Sequence, residues 1–395
     1  MTSQEIITHR RARWLEFYRP RSPVRRLFMI TVPDDPGAAP RPLLWPQLAE
    51  QRIRWGIEDY QRQLERLTWL DDDSLPFLDN ITGTEIFAEA MGCAVHRPAG
   101  MGSGAFYDNM PFARSRISRP EEVAKLSVPD LERSSLQVLF DIADGMRRGV
   151  DGQPFMRLVD IQSPIDIAAL VWEKSELLMA THDQPAAVLA LTGKIGSLLT
   201  AFCDEWFRRY GREGIAHFPT YYAPQGFSLS EDEVGVVSPA TFSEFFAPEL
   251  AALAARYGGL GMHCCAQSRH QWENFRRIPG LTMLNIGHQA LVAESLRVFA
   301  DHVPMIPQRD WLALGEDPAG WFADVPPEAK LVVCVNARSR DHARRLAERL
   351  RPLCAPGPRG APWNQTNRPL VVPTANPQPH EPLTLTHYHG LMAAA

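Results

Sequence analysis

The triplet His263-Cys264-Cys265 ends a short apolar run that starts at Leu260, and such a run predicts a buried β-strand. Alternate side chains of a strand lie on one face, so His263 and Cys265 point the same way and Cys264 points to the opposite side. An imidazole nitrogen and a thiolate sulfur are common zinc ligands. His263 and Cys265 are therefore predicted to bind one zinc ion.

A zinc site of this kind needs a third protein ligand. Cys334 lies near the end of the run Leu331-Val332-Val333-Cys334-Val335-Asn336, where a last strand could bring it to the same mouth. Three protein ligands would leave the fourth position open for a substrate thiol. Alternatives remain: Cys354 or His270 as third ligand, a buried structural role for Cys334, and His263 as a metal-free substrate contact.

Further polar residues lie where predicted strands end, and these positions carry the site residues of barrel enzymes. Carboxyl groups there could act as general acids or orient a substrate. The alternative for each residue is helix capping or loop hydrogen bonding. The predicted catalytic residues are Asp79, Asp160 and Tyr222, and the predicted substrate contacts are Tyr221, Asn285 and His288.

These residues must be positioned by alternating strands and helices. Strands are predicted over 75–79, 155–160, 217–222, 260–265, 282–286, 303–307 and 331–335. Helices are predicted over 48–67, 136–146, 164–179, 185–210, 238–254 and 340–350. Ser238 before Pro239 and Ser339 are expected N-caps, and Gly258-Gly259 is an expected helix end.

This alternation predicts an α/β protein with a parallel sheet, and its number of units favours a (β/α)8 TIM barrel. A doubly wound sheet is the competing architecture, but the glycine-rich nucleotide-binding patterns are missing from the sequence. We expect an N-terminal helical extension at 1–70, the barrel at 71–352 and a proline-rich tail at 353–395.

Composition limits the classes of partner. The net charge of −5 comes from dispersed charges, so neither nucleic acid nor an anionic membrane surface is an expected partner. A small-molecule substrate is expected instead. Six scattered cysteines do not suggest a disulfide framework, and the N-terminus lacks the apolar core of a signal peptide. A cytoplasmic location is the expectation.

The segment from Ser238-Pro239-Ala240-Thr241-Phe242 to His263-Cys264-Cys265 resembles the uroporphyrinogen decarboxylase superfamily, in which a helix leads into a strand ending His-x-Cys. Gln162-Ser163-Pro164, Asp183-Gln184-Pro185 and the stretch from Thr82 to Cys93 are similar to other parts of that family. The resemblance implies a (β/α)8 barrel with its site at the carboxyl ends of the strands. The superfamily contains metal-free tetrapyrrole decarboxylases and zinc-dependent transferases that methylate or alkylate thiols such as coenzyme M.

The resemblance favours the transferases for this chain, with His263, Cys265 and Cys334 in the ligand positions. True decarboxylases carry an N-terminal Met-Arg-Gln-Ala-Gly-Arg segment, whereas the corresponding region of this chain, Arg19-Pro20-Arg21-Ser22-Pro23-Val24-Arg25-Arg26, lacks that motif and offers Arg25 and Arg26 as substitutes. Ala266 replaces the glycine that often follows the motif. The expected reaction is methyl or alkyl transfer to a thiol, with a methyl-corrinoid on a partner protein as donor. Metal-free decarboxylation and non-catalytic ligand binding are the alternatives, and the resemblance also implies that two chains could pair as a homodimer.

Overall fold

The computed structural model describes residues 1–33, 38–97, 111–309 and 317–356, so most of the predicted tail lies outside the described residues. Its α-helices are α1 (Ser3–Tyr18), α2 (Ala49–Arg66), α3 (Ile86–Ala90), α4 (Gln137–Arg148), α5 (Pro164–Val171), α6 (Lys174–Asp183), α7 (Pro185–Tyr210), α8 (Pro239–Thr241), α9 (Ala247–Tyr257), α10 (Trp272–Arg277), α11 (Val292–Val298), α12 (Pro318–Asp324) and α13 (Arg340–Leu353). Its strands are β1 (Arg26–Thr31), β2 (Phe77–Asp79), β3 (Ala94–His96), β4 (Phe112–Arg114), β5 (Phe155–Arg157), β6 (Gly214–Ile215), β7 (Tyr222–Ala223), β8 (Phe227–Ser230), β9 (Leu260–Cys264), β10 (Leu281–Ile286), β11 (Gln308–Arg309) and β12 (Leu331–Asn336).

The helix signals in the sequence produced the expected local structure. The Ser238 side chain accepts the amide of Thr241 at 3.1 Å, and a π-helical segment, Phe242–Phe246, joins α8 to α9. Gly258 ends α9 with a φ of 82°, a left-handed conformation that glycine adopts without steric cost. Ser339 caps α13 in the same way as Ser238 caps α8.

Several sequence predictions differ from the structure in detail. The predicted strand 303–307 forms only isolated bridges at Met305. Of the predicted strand 217–222 only Tyr222 lies in a strand, because β6 and β7 pair antiparallel and residues 217–221 connect them. Pro219 lies in the segment and has no amide hydrogen to give to a ladder. The predicted helix over 164–179 is interrupted between α5 and α6, where the Glu173 side chain accepts the amide of Glu176 and starts a new helix.

The main strands follow one another in a parallel arrangement. Ladders join β2 to β5, β8 to β9, β9 to β10, and β12 to β1. Parallel bridges at Gln162 with Ser230, and at Met305 with both Leu284 and Leu331, connect these groups. The α/β class with parallel strands is thus confirmed, and the succession β2, β5, β8, β9, β10, the Met305 segment, β12, β1 matches the order expected in a barrel.

The seam between β1 and β2 has no ladder among the described residues. Two buried carboxylates accept hydrogen bonds there from amides of β1. Asp72 accepts the amide of Ile30 at 2.9 Å, and Asp73 accepts the amide of Phe28 at 3.1 Å. The Asp73 amide also donates to the Phe28 carbonyl. β1 lies within the predicted N-terminal extension, yet it pairs along its whole length with β12. Complete closure of the barrel remains a prediction.

Helix α1 lies at the end of the sheet at which the parallel strands begin. Arg10 binds Asp72 just before β2 at 2.7 Å, and the Arg11 guanidinium binds Glu213 just before β6. Lys330, just before β12, donates to the carbonyls of Phe17 and Arg19 at the end of α1. Because these partners all precede strands, α1 lies at their amino ends and the opposite end is left for a site.

Helix α7 is long and apolar enough to cross a membrane by length and composition alone. Its buried residues recur every three or four positions, as in Leu191, Ile195, Leu198 and Phe202, which is typical of a helix with one face in a core. It packs in this way against α5 and α6.

Candidate metal centre

The register of β8 against β9 brings the first site residues together. Ser230 lies opposite His263 in this parallel ladder, so the residues two positions farther on, Asp232 and Cys265, also lie side by side. The Cys265 amide donates to the Asp232 carboxylate at 2.6 Å. Ligand atoms of Asp232, His263 and Cys265 all lie within 4.8 Å of one another. This group is called the metal cluster below.

The buried carboxylate of Asp166 holds the backbone of the loop that carries Asp232. Asp166, near the start of α5, accepts the amides of Asp232 at 2.8 Å and Glu233 at 2.9 Å. The Asp166 amide donates to the side-chain hydroxyl of Ser163, the N-cap of α5. The loop after β8 is therefore tied to α5, and the Asp232 side chain is free to point toward His263 and Cys265.

Asn285 determines which nitrogen of His263 can bind a metal. Asn285 lies opposite His263 in the ladder of β10 with β9, and its amide nitrogen donates to the carbonyl of Ile306. Its oxygen must then be the atom that lies 2.5 Å from His263 Nδ1. Nδ1 is therefore protonated, which leaves the Nε2 lone pair available.

Two neighbours complete the packing of the cluster. The Phe218 ring lies edge-on to the His263 ring, with 4.6 Å between the ring centroids. Gly287 lies against the other side, since a Cβ there would come within 3.0 Å of His263 Cε1 and 3.2 Å of Cys265 Cβ. These contacts restrict the ring orientation and explain why residue 287 has no side chain.

Burial controls the protonation of the two strand ligands before any metal binds. Burial lowers the pKa of His263 and so favours the neutral imidazole that metals require. Burial, with the adjacent Asp232 carboxylate, raises the pKa of Cys265 to about 12. The free cluster therefore contains a neutral thiol and a neutral imidazole.

A second polar group lies at the carboxyl ends of the neighbouring strands. Asp79 is paired with Arg157 at 2.7 Å, and Arg157 also donates to the carbonyl of His217. Burial alone would raise the pKa of Asp79, but Arg157, Arg41 and His217 hold it below its ordinary value. Asp79 is therefore an ionised carboxylate and a poor general acid.

Asp160 belongs to the same end of the strands as Asp79. His217 Nε2 lies 3.4 Å from the Asp160 carboxylate. The backbone amide of Asp160 donates to the Thr82 hydroxyl. The Asp160 charge also acts to raise the pKa of His263, so it lies near enough to influence the metal cluster. Its predicted catalytic role thus has a suitable location.

The other predicted residues do not belong to the metal cluster of the described residues Asp232, His263 and Cys265. The Tyr222 hydroxyl binds Glu213 near α1, at the opposite end of the strands, and Tyr221 packs against Gly261 inside the sheet. His288 follows β10 but is not part of the cluster. Cys334 lines a separate cavity beside Tyr221.

The alternative third ligands also lie elsewhere. His270 Nε2 is bonded to the carbonyl of Val237 at 3.0 Å, and Cys354 is buried just beyond α13. Asp232, which sequence reasoning missed, is the residue that the structure brings beside His263 and Cys265. The sequence feature that could have indicated Asp232 is its position two residues after the strand that ends at Ser230. The sequence analysis did not predict that strand.

The donor types of the cluster fit zinc, which accepts sulfur, nitrogen and carboxylate oxygen. One thiolate and one carboxylate would balance the double charge of Zn²⁺, as the expected pair of thiolates would have done. Asn285 supplies the outer hydrogen bond that usually orients a histidine ligand. Asp232, His263 and Cys265 are therefore the described residues that could hold the metal.

Comparison with known proteins assigns the chain to a family. The family model of uroporphyrinogen decarboxylase (URO-D) matches residues 82–306, more than half of the chain, so the chain belongs to this family. It is similar in structure to a methyltransferase from Methanosarcina mazei, with a TM-score of 0.59 and 13% sequence identity, over 86% of this chain and 97% of that one. At this identity the likeness concerns the fold. No curated protein sequence matches the chain.

Proposed function

We propose that the protein is a zinc-dependent transferase that moves a methyl or alkyl group to the sulfur of a small thiol. The observation that carries the proposal is the meeting of Asp232, His263 and Cys265, three different zinc-ligand types, within 4.8 Å where β8 and β9 end. Membership of the uroporphyrinogen decarboxylase family and the fold of a methyltransferase support it.

Zinc bound there would stabilise the substrate thiolate near neutral pH and hold its sulfur at an open position. The protein's own residues supply the rest. Asn285 orients His263, Asp166 fixes the loop of Asp232, and Phe218 shields one side of the histidine ring from water.

The proton of the substrate thiol needs an acceptor at the same mouth. Asp160 with His217 Nε2 at 3.4 Å is suited to this, because a carboxylate beside an imidazole can share an incoming proton. Asp79 is less suited, since its charge is neutralised by Arg157. Following the family resemblance, we propose a methyl-corrinoid on a separate protein as the donor.

The arginines near Asp79 provide an argument about the decarboxylase alternative. A polycarboxylate tetrapyrrole requires arginines that can bind its carboxylates. Arg157 is already committed to Asp79 at 2.7 Å, and Arg41 lies 4.0 Å from the same carboxylate. The ion pair therefore favours the transferase over the decarboxylase.

Zinc content measured by plasma mass spectrometry tests the proposal. We expect about one zinc per chain after loading and desalting. Asp232→Ala and Cys265→Ser should lose the metal, whereas Cys334→Ser should keep it because Cys334 lies outside the cluster. Zinc lost in Cys334→Ser but kept in Asp232→Ala would instead support the ligand set expected from the sequence.

Activity is tested with methylcobalamin as donor and a panel of small thiols as acceptors. Formation of the methyl thioether, followed by mass spectrometry, should depend on zinc and disappear in Asp232→Ala. A wild-type protein that binds no zinc would refute the transferase proposal. Release of carbon dioxide from a carboxylated substrate by that metal-free protein would favour the decarboxylase alternative.

A further inference from the structure

Polar side chains form a row across the strands that carry the metal cluster. Gln162 and Ser230 form a parallel bridge, and Ser230 lies opposite His263 in the ladder of β8 with β9. Asn285 lies opposite His263 on its other side. Residues paired in this way in a parallel sheet project their side chains to the same face. The group of Gln162, Ser230, His263 and Asn285 is called the polar row below.

The Gln162 side chain faces the side of the sheet that carries the metal cluster. The next residue, Ser163, is the N-cap of α5 and so points to the opposite side, where that helix packs. Because successive side chains of an extended segment alternate between the two faces, Gln162 points away from α5 and toward the side of His263. This direction agrees with the bridge of Gln162 to Ser230.

Within the polar row, Gln162 carries a buried acceptor that is not satisfied. The other end of the row is internally paired, since His263 Nδ1 is bonded to the Asn285 oxygen. Gln162 is half-buried, and its Oε1 is shielded from solvent without a hydrogen-bond partner among the residues that the structure describes. A buried acceptor without a donor costs free energy, so the position is suited to a ligand that donates a hydrogen bond to it.

The charge beside Gln162 is negative. Asp160 lies two residues earlier in the same segment, and its carboxylate also acts on the pKa of His263, so both acid and amide lie on the side of the cluster. Arg157, earlier in the segment, is paired with Asp79 at 2.7 Å. An anionic group bound to Gln162 would therefore be repelled by Asp160, whereas a neutral donor would not.

We propose that Gln162 determines the substrate specificity: its amide binds a hydroxyl or amide N–H group on the body of the thiol, which makes the substrate a neutral polar thiol and not an anionic one. This inference rests on the proposed transfer to a thiol. Adjacent strands lie about 4.8 Å apart, so the backbone of Gln162 lies about 10 Å from that of His263, two strands away. A thiol whose sulfur is on the metal can reach Gln162 through a chain of a few carbon atoms.

Methyl transfer from methylcobalamin to three matched series of thiols tests the inference on the zinc-loaded protein. The series are mercaptoalkanols, alkanethiols with a methyl group in place of the hydroxyl, and mercaptoalkanesulfonates, with chains of about two to four carbon atoms. At the best length, kcat/KM for the alcohol should exceed that for the matched alkanethiol and the matched sulfonate at least tenfold. A preference for the sulfonate, or equal values for alcohol and alkanethiol at every length, would overturn the inference.

Variants at residue 162 separate specificity from a structural role. Gln162→Leu has a similar size but no acceptor, so the ratio of kcat/KM for the alcohol to that for the alkanethiol should fall at least tenfold, to about one. Gln162→Glu keeps an acceptor oxygen and should keep the preference for the alcohol. Gln184→Leu, at an exposed position between α6 and α7, is the matched control and should keep the wild-type ratio. A purely structural role would instead lower kcat/KM for all three series by one common factor in Gln162→Leu.

A binding test without zinc separates this inference from the proposed function. The methyl sulfides of the best alcohol and of its matched alkane are titrated into zinc-free full-length protein and followed by ligand-observed NMR. The wild type should bind the hydroxyl-bearing sulfide at least fivefold more tightly, and Gln162→Leu should bind both equally. This preference in a protein that neither binds zinc nor transfers methyl groups would refute the transferase and leave the role of Gln162 standing. Methyl transfer together with equal binding of the two sulfides by the wild type would support the transferase and overturn the role of Gln162.

Discussion

Replacing Asn285 by leucine tests whether this residue orients His263 or contacts the substrate. Leucine has a similar size but removes both the acceptor for His263 Nδ1 and the donor for the carbonyl of Ile306. Loss of an outer-shell partner typically costs 10–100-fold in metal affinity, or about 1.4–2.7 kcal/mol. The unpaired carbonyl should also lower the free energy of unfolding by about 1–3 kcal/mol.

The assay is competition for zinc with a chromophoric chelator, combined with urea unfolding of the metal-free protein. Asn285→Asp is the matched control, because it keeps an acceptor for His263 and should bind zinc as tightly as the wild type or more tightly. It still lacks the donor to Ile306, so part of the stability loss should remain. Unchanged zinc affinity in Asn285→Leu, with a raised KM for the thiol, would refute the orienting role and support the substrate contact predicted from the sequence.

Three further predictions concern the packing of the metal cluster and two buried carboxyl groups elsewhere in the fold. Gly287→Ala should weaken zinc binding at least tenfold in the same chelator assay, because the new methyl group would press on the His263 ring. Burial raises the pKa of Glu249 to about 8, so between pH 4.5 and 8 the native state keeps a proton that the unfolded chain releases. In urea titrations the unfolding free energy of the wild type should therefore fall with pH more steeply than that of Glu249→Gln in that range, by up to about 1.4 kcal/mol per pH unit. Asp73→Ala should cost about 3–5 kcal/mol of stability, since it removes the carboxylate that binds Arg13 and the β1 amide of Phe28, whereas Asp71→Ala at an exposed position should cost less than 1 kcal/mol.

Local sequence patterns determined much of the fold. The caps Ser238 and Ser339 and the stop at Gly258 act through neighbouring backbone groups, so they could be predicted without knowledge of the tertiary structure. The apolar run at 260–264 likewise formed a strand. The segment 217–221 misled the prediction, because Pro219 and Tyr221 are buried there without belonging to a ladder.

The pairing of His263 with Cys265 is a property of one strand, since alternation places both side chains on one face. The sequence by itself therefore determined two members of the metal cluster. The third depends on which strand lies beside β9 and in which register. Only the tertiary structure decided this, by setting Ser230 opposite His263 and so bringing Asp232 to Cys265.

The position of Cys334 shows the same division. Its place on the last strand was predictable, but the direction of its side chain relative to a site on β9 depends on the whole arrangement of strands. In the folded chain it lines a cavity together with residues of α1 and α2. A cavity is a sum of many distant packing contacts, so no local pattern in the sequence could have indicated it.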